Sequence, residues 1–381
     1  MFLLDLSHTS HTRARTGVQR VTRSLHNTLG AEATAITWDP YAQQWRYLDE
    51  HENANLNSNA PAKERGAKWP LSSKIRGHWH ALRGADPQLP AAEGIIVPEI
   101  FSTNVHTALP LLSAQVPRVA LFHDAIALKL PELTPPGTVA RFPGYMQELL
   151  TFQGVAAVSE DSRLALIDYW KWLGFTQTPP VETIPLGIDP SPVIGNSTTQ
   201  DNPPVVLCIG SIEGRKNHLA LLQACEKLWQ QKQNFQLRLI GMSHATTGQA
   251  ALQKISQLIA NGHPLRYDGA VDEATLQSAY EECLFTVYPS MMEGFGLPVL
   301  ESLQRGKPSI CSAHGALGES ARGGGTLMLE TLTSEDLATA ISTLLLDRNQ
   351  RDQLSEATRA RTYRSWKNYT SDLIIWTRSL K

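Results

Sequence analysis

Short apolar runs alternate with segments of helical periodicity from one end of the chain to the other. Residues 2–6, 95–97, 118–122, 154–158, 205–209, 236–240, 284–288 and 308–311 are brief runs rich in Val, Ile, Leu and Phe. Runs this short, bounded by polar or glycine-bearing segments, predict buried strands. Between them apolar residues recur every three or four positions, as at Val18, Val21, Leu25 and Leu29, which predicts a helix over residues 18–29. Strands separated by helices imply parallel sheets covered on both faces, an α/β fold. The pattern fails at residues 189–204, DPSPVIGNSTTQDNPP, which is dense in Pro, Ser, Thr and Asn. An interdomain linker is expected there. Two α/β domains follow, 1–189 and 190–361, and a closing segment, 362–381, interleaves Tyr363, Trp366, Tyr369 and Trp376 with charges. That segment is expected to be a helix crossing back to the first domain.

A second irregular stretch, 42–93, is poor in β-branched residues and carries Lys63, Arg65, Lys68, Lys74, Arg76 and Arg83 against Glu64 alone between residues 63 and 83. Two readings stand: a solvated insertion, or a docking surface for anionic lipid headgroups or a phosphorylated acceptor, giving peripheral membrane contact.

Length and charge agree with this plan. A chain of 381 residues suits two domains of roughly 150 to 200 residues. Its net charge of -2 predicts no nucleic-acid partner. Cys208, Cys225, Cys283 and Cys311 share no C-x-x-C spacing and read as reduced core residues of a cytoplasmic protein. The opening residues read as a first strand, not a signal peptide, and no apolar run reaches the roughly 18 residues of a membrane span.

The densest chemical signal is PSMMEGFGLPVLESLQRGKPSI, residues 289–310. A buried strand ends in a turn containing Glu293, Gly294 and Gly296, and Pro298 stands where a helix should begin. Glycines let backbone approach a ligand, and a helix start aims free N–H groups at an anion. Glu293 in the loop and Glu301 about a turn into the helix offer two carboxylates, which accept hydrogen bonds from vicinal diols such as ribose or pyranose hydroxyls. The second signal is CIGSIEGRKNHLALLQA, residues 208–224. Arg215 and Lys216 stand near the carboxyl end of a buried strand, where ligands bind in open α/β sheets, and Asn217 is placed to cap the next helix. Two adjacent cations there suit a diphosphate.

Two glutamates with seven residues between them, E-x7-E enclosing GFGLP, together with the R-K-N segment Arg215 to Asn217, closely resemble the donor site of glycosyltransferase family 4. The resemblance implies a GT-B fold, with two Rossmann-like domains facing across a cleft, and retaining transfer of a hexose from a nucleotide sugar. It implies that Glu293 and the backbone of Gly294, Phe295 and Gly296 meet the transferred sugar, that Leu297 lines the donor, and that Glu301 holds the ribose. Arg215 and Lys216 become a pyrophosphate clamp. Looser matches assign His123 of the His123-Asp124 pair to the transferred sugar from the opposite lobe, Gly17 between Thr16 and Val18 to the donor phosphates, and Val271 of segment 266–271 to the base. Glu319 and the glycine run 323–325 depart from the family's usual text. The same resemblance points to hexosyltransferases of bacterial surface polysaccharide, including lipopolysaccharide, assembly. GDP-mannose is the first candidate donor, UDP- and dTDP-sugars are alternatives, and a glycan or lipid-linked oligosaccharide is the acceptor. The place of action would be cytoplasmic, at the inner face of the cell membrane.

No D-x-D occurs in the chain, so no metal dependence is expected, and the reading calls for no cofactor beyond the donor substrate. The absence of G-x-x-x-x-G-K-[ST] and of G-x-G-x-x-G near Gly294 weakens NTPase and dehydrogenase readings. A catalytically silent nucleotide-sugar-binding partner subunit and a GT-B-type epimerase remain the alternatives.

Overall fold

A computed structural model of the chain describes residues 1–58, 66–83, 88–100, 108–112, 115–189 and 203–380. The chain divides into two compact units. The first comprises residues 1–123, 142–187 and 364–381, and the second residues 124–141 and 188–363. Most of the expected linker, residues 190–202, lies outside the described residues, as do Lys63 and Arg65.

The first unit carries seven strands: β1 Phe2–Asp5, β2 Ala33–Asp39, β3 Gln44–Tyr47, β4 Ile95–Val97, β5 Arg118–Phe122, β6 Gly154–Ala157 and β7 Val181–Thr183. Their order is β3-β2-β1-β4-β5-β6-β7, parallel throughout except for β3, which pairs antiparallel with β2 at the edge. β1, β4 and β6 are buried along their whole length, the burial expected of strands covered on both faces. The terminal helix Trp366–Ser379 starts from a capping box at Ser365 and Asn368 and packs against helix Gly17–Leu29. It buries Tyr369, Leu373 and Thr377, while Arg378 reaches Glu93 at 2.9 Å.

The second unit carries β8 Val205–Ile209, β9 Gln236–Ile240, β10 Leu265–Tyr267, β11 Cys283–Tyr288, β12 Ser309–Ser312 and β13 Thr326–Leu329. Their order, β10-β9-β8-β11-β12-β13, is parallel throughout. Alternation along β8 shows how both faces are covered. Val206 and Cys208 join the core under helices His218–Gln230, Gln249–Ala260 and Ser334–Leu346, while Leu207 joins Tyr280 and Cys283 on the other face. All four cysteines are buried as free thiols.

In both sheets the first strand lies beside the fourth of its series, β1 against β4 and β8 against β11, so chain order reverses between them. Crossover connections leave in opposite directions at such a pair and open a crevice at the strands' carboxyl ends. Two places on the chain are thereby singled out before any side chain is considered.

One expectation is corrected. Among its described residues the stretch 42–93 is not irregular: they include β3, helix Glu50–Asn57 and helix Leu71–Arg83. The first helix is polar and is specified by a capping box between Asp49 and Glu52, while the second turns small residues, Ser73 and Gly77, toward the protein. Neither shows the inward apolar stripe by which helices are ordinarily read.

Candidate functional site

The crevice between β8 and β11 gathers the charged residues read from the sequence. After β8 the chain passes through Gly210, at φ 152°, and makes a single 3-10 turn over Gly214–Lys216 before helix His218–Gln230. After β11 it runs through Pro289 to Phe295 and enters helix Leu297–Gln304 from Gly296. Gly296 has φ 112°, and a Cβ there would stand 3.0 Å from Leu317 Cδ2. The turn thus has both a backbone and a packing reason for glycine. Met291 N donates to Arg215 O at 2.9 Å and Arg215 Nη1 to Met292 O at 3.0 Å, so the two loops are stitched together.

Within that frame Glu293 Oε1 is 2.8 Å from Arg215 Nη1 and 2.5 Å from Lys216 Nζ, and Arg215 Nη2 is 2.9 Å from Glu213 Oε1. Lys216 Nζ also donates to the Tyr288 hydroxyl and lies 4.6 Å over its ring. Burial alone would push the Glu293 carboxyl up. Arg215 and then Lys216 outweigh it by charge and hydrogen bonding and hold it down at about 2. Arg215 is a firmer cation than usual: burial disfavours its charge, but Glu293, Glu213 and Asp124 favour it more. Lys216 moves the other way, because burial and then the neighbouring Arg215 exceed the help that Glu293 gives. Burial together with the Glu293 charge pushes Tyr288 well above the usual phenol range.

Glu301 is buried in helix Leu297–Gln304 and accepts from the Tyr280 hydroxyl at 3.3 Å. Leu297 is that helix's first residue and is buried. Phe295 O accepts from Ser320 Oγ at 2.5 Å, which anchors the loop bearing Gly294. Val271 precedes helix Glu273–Glu282 and packs beside Leu207, Ile240 and Tyr280. Asn217 is not the side-chain cap expected of it. It adopts a left-handed conformation, φ 54°, and its Nδ2 donates to Leu332 O at 2.9 Å.

His123 and Gly17 lie in the first unit. His123 follows β5, and its Nε2 is 2.9 Å from Pro98 O, a bond that needs the proton on Nε2 because a carbonyl only accepts. Asp124 Oδ1 accepts from Ile126 N at 3.0 Å at the start of helix Ile126–Lys129. Gly17 opens helix Gly17–Leu29 beside a Thr16–Gln19 capping box, with no heavy atom within 4 Å of where a Cβ would stand. Open space there leaves backbone approachable.

Sequence reasoning missed Tyr288, Tyr280 and Glu213. Tyr288 was legible in principle as an aromatic hydroxyl at the carboxyl end of a largely apolar strand. Among the described residues no three His, Cys, Asp or Glu side chains are placed to hold a metal ion, and no helix is long and apolar enough to cross a membrane.

Residues 194–361 match the family described as glycosyl transferases group 1. The serotype-specific mannosyltransferase WbdA of Escherichia coli is 25% identical over 329 residues, covering 81% of this chain and 38% of the relative. The chain therefore spans about two fifths of that relative's length. The O-antigen chain mannosyltransferase B of Escherichia coli is 32% identical over 174 residues, 44% of either protein. Among solved structures, Anabaena HepE in complex with UDP and glucose superposes with a TM-score of 0.70 at 16% identity, covering 99% of both chains. Sucrose-phosphate synthase of Thermosynechococcus elongatus gives 0.67 at 17%, covering 100% of this chain and 98% of the other. These superpositions establish a likeness of fold. The fold is that of the GT-B class, and residues 194–361 are similar to the glycosyl transferases group 1. The two Escherichia coli proteins that the chain resembles in sequence are both named mannosyltransferases.

Proposed function

We propose that this chain transfers a hexose from a nucleoside diphosphate sugar to a glycan or lipid-linked acceptor, with retention of configuration and without a metal ion. The reading rests above all on one observation: Arg215 and Lys216 meet Glu293 where β8 and β11 leave their carboxyl ends open. When the bond from the anomeric carbon to the diphosphate oxygen breaks, negative charge grows on the leaving group. Pre-placed cations and the positive end of helix Leu297–Gln304 stabilise that charge without reorganising. Glu293 and the Gly294 to Gly296 backbone are assigned to the sugar, Glu301 to the ribose and Val271 to the base side. His123 and Gly17 are assigned by family resemblance to the sugar and the phosphates. Mannose is the first candidate because the two Escherichia coli relatives are named mannosyltransferases of serotype and O-antigen. GDP-mannose is thus the first donor to try, ahead of UDP- and dTDP-sugars, and action at the inner face of the cell membrane fits such acceptors.

Two experiments test this. A thermal-shift series with GDP, UDP and dTDP should show one nucleotide raising the melting temperature, since a ligand of the folded state alone stabilises it. Radiolabelled donor should then give a glycosylated acceptor. Isomerised or hydrolysed sugar in place of that product would assign an epimerase, and binding with no product a silent partner subunit.

A further inference from the structure

Helix Leu71–Arg83 is built inside out. At 3.6 residues per turn, Leu71, Ile75, Trp79 and Leu82 fall within about 80° of one another, and Ser73 and Gly77 point about 180° away. The inward face is the small one: Ser73 and Gly77 are its buried residues, and a Cβ at Gly77 would meet Tyr41 Cβ at 2.6 Å. The apolar face looks outward, with Leu71 72%, Ile75 54%, Trp79 54% and Leu82 86% exposed. Scattered exposed leucines need no explanation, but four large apolar side chains aligned on one helix face mark a surface that something covers.

The flanking charge says what covers it. Between Gly66 and Arg83 there is no Asp or Glu, and there are four cations, Lys68, Lys74, Arg76 and Arg83. Lys74 and Arg83 border the stripe on its two sides. Arg83 lies 4.5 Å over the Trp79 ring and Lys74 5.8 Å over Tyr41. Arg76 pairs with Asp49 and so ties the helix to the protein. An apolar stripe edged by long cations and carrying a tryptophan is the pattern of a helix lying in a bilayer interface, its cations extending to the headgroups.

We propose that helix Leu71–Arg83 seats this chain on an anionic lipid surface, lowering Leu71, Ile75, Trp79 and Leu82 into the interface while Lys74 and Arg83 pair with lipid phosphates. The proposal goes beyond headgroup attraction to a basic segment, because it requires apolar insertion. It stands apart from the donor-site reading, since it uses none of that site's residues.

The test is flotation of the full chain with vesicles of phosphatidylcholine, alone or with a minority of phosphatidylglycerol. The natural chain should float with the mixed vesicles and stay off the neutral ones. The triple variant Leu71→Ser, Ile75→Ser, Leu82→Ser should lose partitioning about 100-fold, and Lys74→Glu with Arg83→Glu should abolish the preference for phosphatidylglycerol. Both variants change exposed side chains, so melting temperature and nucleotide-induced thermal shift should match the natural chain and separate this test from that of the donor site. Flotation of the triple variant at natural strength would overturn the proposal. So would a natural dimer that the triple variant converts to monomer while leaving flotation unchanged, since the stripe would then be a contact between copies.

Discussion

Glu293 Oε1 lies 2.8 Å from Arg215 Nη1, and the same oxygen takes the ion pair with Lys216. With Glu213 on the other side of Arg215, both cations are paired with carboxylates when no ligand is bound. A diphosphate entering the crevice therefore competes with Glu293 for the cations. Replacing Glu293→Gln removes the competitor and leaves Lys216 and Arg215 under-compensated. Nucleoside diphosphate should bind about tenfold more tightly by calorimetry, because each 1.4 kcal/mol is a factor of ten. The free protein should lose about 3 kcal/mol of stability, as when one partner of a buried pair is removed. Unchanged affinity and stability together would show that Glu293 does not set the charge of the site.

Glu301 presents a different case, since its buried carboxylate accepts from the Tyr280 hydroxyl at 3.3 Å. Glu301→Ala should raise the donor KM roughly tenfold and leave kcat within about threefold, the signature of uniform binding lost. Tyr280→Phe, which removes only the positioning hydroxyl, should give the same split at a smaller amplitude. A drop confined to kcat would reassign Glu301 to the chemical step.

Gly296 carries the turn into helix Leu297–Gln304 at φ 112°, with Leu317 Cδ2 3.0 Å from where a Cβ would stand. Gly296→Ala should cost about 1 to 3 kcal/mol in thermal or urea unfolding. A variant as stable as the natural chain would mean that the turn is not held as described.

The first unit's own crevice, between β1 and β4, holds Asp5 and Glu99. Burial, foremost, raises Asp5 to about 6 and Glu99 to about 7, although Ser7 and Thr9 donate to them. In the unfolded chain both ionise near pH 4. From there to about pH 7 the folded state holds more protons than the unfolded one, so stability falls as pH rises and levels off above the folded values. At about 1.4 kcal/mol per pH unit for each group, the loss over both groups is on the order of 6 kcal/mol. Unfolding of Glu99→Gln across pH 4 to 8 should show about half that slope. A slope equal to that of the natural chain would remove Glu99 from the account.

The legible parts of the molecule were those whose pattern is repeated or whose chemistry is concentrated. β1, β4, β5, β6, β8, β9, β11 and β12 read out because buried parallel strands are continuous apolar runs. β3 did not, being an antiparallel edge strand of mixed polarity, Gln44–Tyr47. Helix Leu71–Arg83 carries its period in the sequence, at Leu71, Ile75, Trp79 and Leu82, but its many cations and few β-branched residues made the stretch read as a solvated insertion. Glu293 lies 78 residues from Arg215 and 77 from Lys216, yet each sits in a recognisable string. Tyr288 is close to Lys216 only because β8 and β11 are neighbours, which strand order decides and local sequence does not.

The central claim, that protein cations rather than a metal ion stabilise the departing diphosphate, is tested most directly by single-turnover transfer from GDP-mannose in the presence of EDTA, for the natural chain and Lys216→Ala. The rate of the natural chain should be unaffected by EDTA, and Lys216→Ala should slow turnover about 100- to 1,000-fold while donor binding weakens far less. Loss of transfer in EDTA, or an undiminished turnover in Lys216→Ala, would contradict it.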